Sequence, residues 1–179
     1  MRYFEKIPGE RLYLSPINPD DIVIYTKWIN DPEVVNWIGG ACNVISLPCE
    51  RAWLEANTNG PHQYNFAIVL RNGNRLLGNV SLMDVSAVNR SARLGIFIGE
   101  TDDRSKGYGA EALKLMVDYG FRWLGLRNID LEVDAENQRA IRCYEKVGFR
   151  QYGRRTDSIF YDGQWHDRVC MEVLSKDWL

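Results

Sequence analysis

The chain is poor in the residues that usually carry metal, disulfide or membrane chemistry. It has two histidines, His62 and His166, far apart and each in a polar, loop-like stretch, which argues against a histidine-based metal cluster. Its four cysteines, Cys42, Cys49, Cys143 and Cys170, match no metal-site spacing and no disulfide framework, so they read as buried or idle thiols. Long apolar runs are missing too. Phe66-Ala67-Ile68-Val69-Leu70 is typical, far short of the roughly 18 residues of a membrane span. The start, Met1 to Lys6, has no signal-peptide apolar region, so the cytoplasm is the expected location. Neither charge is in excess: 22 Lys/Arg face 24 Asp/Glu, for a net charge of −2. Both halves share this balance, which leaves out the basic footprint of a nucleic-acid binder. No nucleic-acid or membrane partner is expected.

What remains is an ordinary globular composition, 45% hydrophobic and 26% charged over 179 residues, and it reads as one domain over residues 1–179. Residues 11–16 alternate and predict a first strand. Asn18-Pro19-Asp20-Asp21 predicts a helix start, with a capping Asn, a first-position Pro and acids in the first turn. That helix is expected to end at Asn30-Asp31-Pro32. Residues 32–48 have no clear pattern, and Ser46 to Glu50 open a further helix. Residues 64–70 and 75–83 read as strands joined by Asn72-Gly73, which predicts a type I′ turn with positive φ at both positions. A third antiparallel strand spans 92–99. A helix, a short parallel strand at 129–133, a helix capped by Asn137 and a final hairpin around Asp162-Gly163 follow. The class is α+β: a mixed, mostly antiparallel sheet with a central parallel strand pair, flanked by helices.

The most informative stretch is Leu94 to Ala112. An apolar strand pattern gives way to a mostly charged segment, Glu100 to Lys106, then to Gly107 and Gly109. Beyond them Leu113, Met116, Val117, Gly120, Phe121 and Leu124 fall on one helix face. Strand, glycine loop and helix start suit a phosphate. First-turn N–H groups lack internal partners, the helix dipole adds about half a positive charge, and glycines admit a close anion. Arg104 and Lys106 add formal charge. Gly107-x-Gly109-x-x-Ala112 also fits a dinucleotide fingerprint, with Glu132 in the next strand as its ribose acid. The long segment between strand and glycines, and the closing hairpin after Glu132, leave no room for a second mononucleotide-binding half. The other reading places a thin, amide-bearing ligand such as pantetheine between two splayed parallel strands, its pyrophosphate on the loop.

Two linked motifs then carry a resemblance. Arg104-x-x-Gly107-x-Gly109-Ala110 is similar to the Gln/Arg-x-x-Gly-x-Gly/Ala signature of the GNAT superfamily of acyl-CoA-dependent N-acetyltransferases. Asn137-x-x-Ala140-x-x-x-Tyr144-x-Lys146-x-Gly148-Phe149 resembles that superfamily's second block. Arg-Leu-x-Leu at 11–14, Trp28 to Glu33 and Gly78 to Leu82 resemble the branch of ribosomal-protein alanine and spermidine N-acetyltransferases.

The resemblance implies acetyl-CoA as cosubstrate and direct attack by a primary amine in a ternary complex, with no metal. It implies that main-chain groups of Ile96, Phe97 and Ile98 pair with pantetheine and polarise the thioester. Backbone amides of Arg104, Ser105, Lys106, Gly107, Tyr108, Gly109 and Ala110 take the pyrophosphate. Asn137, with Ala140 in the same block, contacts pantetheine, and Tyr144 protonates the departing thiolate. Arg93 stands where many relatives carry a glutamate base, and an arginine, with a pKa above about 12, cannot serve. Asp84, Glu100 and Asp134 remain as base candidates. The acceptor, whether a protein N-terminus, polyamine, amino sugar or aminoglycoside, is left open, with Trp37, Trp53, Tyr161 and Trp165 as possible pocket walls. A homodimer is a further implication. The alternative class is a CoA-binding regulatory or scaffold protein with little catalysis.

Overall fold

A computed structural model describes residues 2–58 and 64–178; His62 lies outside them. One eight-stranded sheet runs in the order β1-β2-β3-β4-β5-β6-β8-β7. Its strands are β1 (Ile7–Pro8), β2 (Leu12–Pro16), β3 (Tyr64–Leu70), β4 (Arg75–Ser86), β5 (Ser91–Ile98), β6 (Asn128–Asp134), β7 (Arg150–Tyr161) and β8 (Gln164–Leu174). Every neighbouring pair is antiparallel except β5–β6, as the strand-helix-strand connection predicts. The helices are α1 (Ile22–Trp28), α2 (Pro32–Ile38), α3 (Leu47–Thr58), α4 (Tyr108–Arg122), α5 (Gln138–Val147) and α6 (Ser175–Trp178).

The central strands are buried on both faces. In β3, Phe66 and Ile68 join the core beneath α4, while Ala67 and Val69 join a second core beneath α1 and α3. The face predicted for α4 is the buried one: Leu113, Met116, Val117, Gly120 and Phe121 are covered, with Leu124 packed at the margin. On the opposite side Trp28 is fully buried beside Phe97, their ring centroids 6.0 Å apart. A Cβ on Gly99 would stand 2.0 Å from the Trp28 ring, so only glycine lets α1 seat against the end of β5. Burying that indole contributes roughly 1.5–3 kcal/mol and fixes one wall of the site.

Three local readings change. Asn18 does cap its turn, accepting from the Asp20 N–H at 3.0 Å, but the turn it opens is a 3-10 turn (Pro19–Asp21) that leads into α1. Asp31-Pro32 does not simply end that helix. Asp31 accepts from the Glu33 N–H at 2.9 Å and Pro32 takes a first-turn place, so the same residues open α2, which Gly39 closes at φ 86°. The hairpin after β3 has a four-residue loop closed by Leu70 and Arg75, and its positive φ values fall on Gly73 and Asn74 instead of Asn72. Asn74 takes the hydroxyl of Tyr13 on β2, a contact between distant residues that local turn chemistry does not encode. By contrast Asp162-Gly163 is a true two-residue turn, both φ positive, between paired Tyr161 and Gln164.

Candidate functional site

β5 and β6 pair only at Ser91–Asn128, Ala92–Ile129 and Arg93–Asp130. β5 keeps its ladder to β4 as far as Ile98, and β6 keeps its ladder to β8 as far as Asp134. From Leu94 and Leu131 onward the facing edges have parted, and the wedge between them opens into a cavity of about 910 Å³. Ile96, Phe97 and Ile98 line it from β5. Unpaired main-chain groups along such an edge stay in demand of partners, so a ligand with amides of its own suits this opening.

The loop after β5 closes one end. Asp103, in a 3-10 turn (Thr101–Asp103), is gripped by Arg75 through two hydrogen bonds of 2.5 and 2.8 Å. Gly107, at φ 83°, starts α4, and Ser105 is also left-handed at φ 62°. Arg11 clamps the outside: it donates to the Lys106 carbonyl at 2.9 Å and to Glu111 at 2.9 Å, and lies 5.0 Å over the Tyr108 ring. The first helical N–H groups, of Tyr108, Gly109 and Ala110, have no partner within the helix. A Cβ on Gly109 would meet nothing within 4 Å, so the backbone there faces open space. This is an anion cradle by construction.

Of the predicted phosphate loop, Arg104, Ser105, Gly107, Gly109 and Ala110 line the cavity; Lys106 and Tyr108 do not. The Arg104 side chain is committed elsewhere. It donates to the carbonyls of Ile98 (3.2 Å), Gly99 (2.9 Å) and Glu33 (3.1 Å), and its own N–H goes to Thr101. Arg104 therefore braces β5 against α2 with three of its five guanidinium N–H groups. Arg139 and Arg142, which the sequence reading passed over, also line the cavity with Lys146 of the second motif, one face of α5 at spacings of three and four.

α5 brings the second block. Asn137 accepts from the Ala140 N–H at 3.1 Å as a helix cap, and both residues line the cavity. Tyr144 lines it too, its ring edge-on to Phe149 at 5.9 Å. Burial first, then the neighbouring Cys143, pushes its phenol well above the usual range, so the hydroxyl keeps its proton throughout the physiological range.

The three acids considered as bases separate clearly. Glu100 accepts from Lys27 (2.7 Å) and Trp28 (2.9 Å); those hydrogen bonds hold its carboxyl below the usual range, and it is not part of the cavity wall. Asp84 is exposed, 3.9 Å from Arg93, and also off the wall. Asp134 alone of the three lines the cavity, buried and accepting from the Tyr161 hydroxyl (2.9 Å) and the Glu136 N–H (2.8 Å). His166 stacks on Tyr161 at 3.9 Å, so ligand atoms of Asp134, Glu136 and His166 come within 4.8 Å of one another. Glu132, the acid of the dinucleotide reading, is held by Arg155 (2.8 Å) and Arg168 (3.1 Å). Trp37 and Trp53 line the cavity, whereas Tyr161 supports Asp134 from behind and Trp165 packs on Phe160. Among the described residues no helix is long and apolar enough to cross a membrane.

A family profile for an acetyltransferase (GNAT) domain matches residues 11–150. The probable N-acetyltransferase YjcK of Bacillus subtilis is 32% identical over 116 residues, 64% of each chain. The spermidine N(1)-acetyltransferase of Escherichia coli K12 is 35% identical over 102 residues, 57% of this chain and 54% of its own. The chain thus spans about half to two thirds of the length of these relatives. Among solved structures, spermidine N-acetyltransferase from Vibrio cholerae in complex with CoA and spermine shares the fold with a TM-score of 0.87 at 23% identity, covering 94% of this chain and 98% of that one. A GNAT-family acetyltransferase from Bacillus anthracis does so with a TM-score of 0.82 at 24% identity, covering 95% and 98%. With its parted parallel strands and glycine loop, and a profile match over most of its length, the chain belongs to the GNAT acetyltransferase family.

Proposed function

We propose that residues 1–179 act as one acetyl-CoA-dependent N-acetyltransferase domain, with a primary amine as acceptor. The observation that carries the reading is the early parting of β5 and β6 directly above the N–H groups that open α4. A pantetheine arm bears amides that suit the free strand edges, and a pyrophosphate suits the cradle at Gly107–Ala110. An aliphatic ammonium, with a pKa of about 10, loses a proton before it attacks. The neutral amine adds to the thioester carbonyl, whose developing negative charge is met by strand N–H groups at Ile96–Ile98. Collapse breaks the carbon–sulfur bond, and the nitrogen gives its second proton to solvent water, from which Tyr144 is later reprotonated. Tyr144, kept protonated by its surroundings, gives the proton that turns the leaving thiolate into CoA thiol. Arg139, Arg142 and Lys146 add positive charge on the cavity wall for a polyanionic cosubstrate. Relatives named as spermidine acetyltransferases favour an aliphatic amine as acceptor.

Calorimetric titration with acetyl-CoA, with NADH in parallel, tests this. Micromolar acetyl-CoA binding without NADH binding is expected. Silence toward acetyl-CoA would return the glycine stretch to an ordinary strand-to-helix turn.

A further inference from the structure

The cavity extends beyond the strand opening to a wall that carries three buried polar groups. Tyr25 of α1, Glu50 of α3 and Asn79 of β4 all line it, at 2%, 5% and 8% exposure. The Tyr25 hydroxyl and the Asn79 amide nitrogen have no hydrogen-bond partner among the described residues. Glu50 has no ion pair there either, and burial alone lifts its carboxyl above the usual range, with no neighbouring cation to oppose it. The three belong together. Burial first, then the charges of Asp21 and Tyr3, lifts the Tyr25 phenol; the Asn79 amide, close by though outside hydrogen-bond geometry, opposes the rise and the Glu50 charge adds a last small one, so both lie near the same hydroxyl. Asn79 is also directly opposite Phe97 in the β4–β5 ladder, and the Tyr25 ring stands edge-on to Phe97 at 6.5 Å. The cluster therefore adjoins the strand segment assigned to the thioester.

Leaving buried polar groups unpaired costs free energy, most of all for a carboxylate without a counter-charge. An unsatisfied hydroxyl and amide beside a buried carboxyl without a counter-charge, all on one cavity wall, suit a ligand that completes them. We infer that Tyr25, Glu50 and Asn79 form the head pocket for the acceptor's ammonium group, a deepening that rests on the acetyl-transfer reading for the amine's fate. Glu50 supplies the counter-charge. The Tyr25 oxygen accepts a second N–H, and the Asn79 amide has a donor to give to an oxygen at the junction with the strand opening. A neutral hydroxyl leaves Glu50 uncompensated, and an anion is repelled by it. The aromatic and aliphatic flank, Tyr25, Phe97, Ile29 and Val34, suits an aliphatic stem.

The test is calorimetric titration of CoA-loaded protein with spermidine and with a tripeptide bearing a free alanine N-terminus. Each is paired with its fully N-acetylated form, in which no basic amine remains. At least one free amine is expected to bind and its acetylated form to fail. Glu50→Gln is expected to weaken that binding tenfold or more, and Tyr25→Phe three- to tenfold, with acetyl-CoA affinity unchanged in both. Retained acetyl-CoA affinity certifies the fold of each variant. Should Glu50→Gln lose it, Tyr25→Phe, which removes a single oxygen, decides alone. Equal amine affinity in wild type and variants overturns the pocket, as does failure of both amines to bind. Loss of the acetyl-transfer reading gives a different pattern: wild-type protein silent toward acetyl-CoA, with amine binding to the unloaded protein still governed by Glu50.

Discussion

The two ends of the cavity are built on opposite principles. At the cradle end, polar groups are paired to excess: Arg75 grips Asp103, Arg11 grips Glu111 and the Lys106 carbonyl, and Arg104 serves three carbonyls. The first-turn N–H groups of α4 are left over. At the far end the Tyr25 hydroxyl and the Asn79 amide nitrogen are buried without a hydrogen-bond partner among the described residues, and Glu50 is buried there without an ion pair. The first arrangement holds a fixed backbone shape for a ligand read by main-chain groups. The second leaves side chains waiting for one. Stability and recognition therefore coincide at the cradle and conflict at the head pocket.

The largest effect is expected between the two ends, at the proposed acid Tyr144. Tyr144→Phe keeps the ring packed on Phe149 and removes only the hydroxyl. Turnover should fall about 10²- to 10³-fold, roughly 3–4 kcal/mol in barrier, with acetyl-CoA affinity unchanged. Steady-state rates and calorimetry on the same variant check this. An unchanged kcat would remove Tyr144 from the reaction and favour a CoA-binding protein with little catalysis.

A glycine pair separates shape from recognition within the cradle. Gly107→Ala forces a side chain into the left-handed region and brings its Cβ to 3.1 Å from Arg11 Nη2. A loss of about 1–2 kcal/mol in unfolding free energy is expected. Gly109→Ala meets no protein atom within 4 Å and replaces a poor helix former, so stability should rise by about 0.5–1 kcal/mol. Its methyl group nevertheless stands where an anion approaches the N–H groups, and acetyl-CoA affinity should fall about tenfold. Thermal melts and acetyl-CoA titrations of both variants would show stability and affinity moving in opposite directions only at Gly109. If Gly109→Ala binds acetyl-CoA as tightly as wild type, the cradle is not where the pyrophosphate lies.

The same contrast explains what could be read from the sequence. The cradle is local: strand, loop, glycines and helix follow one another within Leu94–Ala112, and the Asn137 cap and Gly148 stop lie within one helix. Strand composition and capping chemistry act over a few residues, so they print directly into sequence. Even there the sequence did not show that the Arg104 side chain also braces the fold, donating to the carbonyls of Ile98, Gly99 and Glu33. The head pocket is assembled from α1, α3 and β4, which meet only through the tertiary packing of a central sheet. Glu50 reads locally as a first-turn acid of a capped helix, and Asn79 as one residue of a strand. Arg139, Arg142 and Lys146 were legible as a helix face, but nothing in that pattern says the face looks into a cavity instead of solvent.

One carboxylate from each end gives the smallest test. Arg75 hydrogen bonds hold Asp103 below the usual carboxylate range, whereas burial holds Glu50 above it. Asp103 therefore contributes stability that is fully present above its unfolded pKa of about 3.9 and lost as pH falls through its lower folded value. Glu50 does the reverse. Its ionised form is disfavoured in the folded state, so its cost is absent below an unfolded pKa of about 4.3 and grows as pH rises through the folded value. At pH 7 Asp103→Asn should lose about 1 kcal/mol, a modest figure because Arg75 is half exposed and screened by solvent. Glu50→Gln should gain a similar amount, each a Tm change of about 2–4 °C for a chain of this size. Melts of the two variants against wild type from pH 3 to pH 7 should diverge in opposite directions as pH rises and converge at the acid end. A destabilised Glu50→Gln protein at pH 7 would mean that Glu50 already has a partner in the free protein. A head pocket built on an uncompensated carboxylate requires the opposite, a variant more stable than wild type and weaker in amine binding.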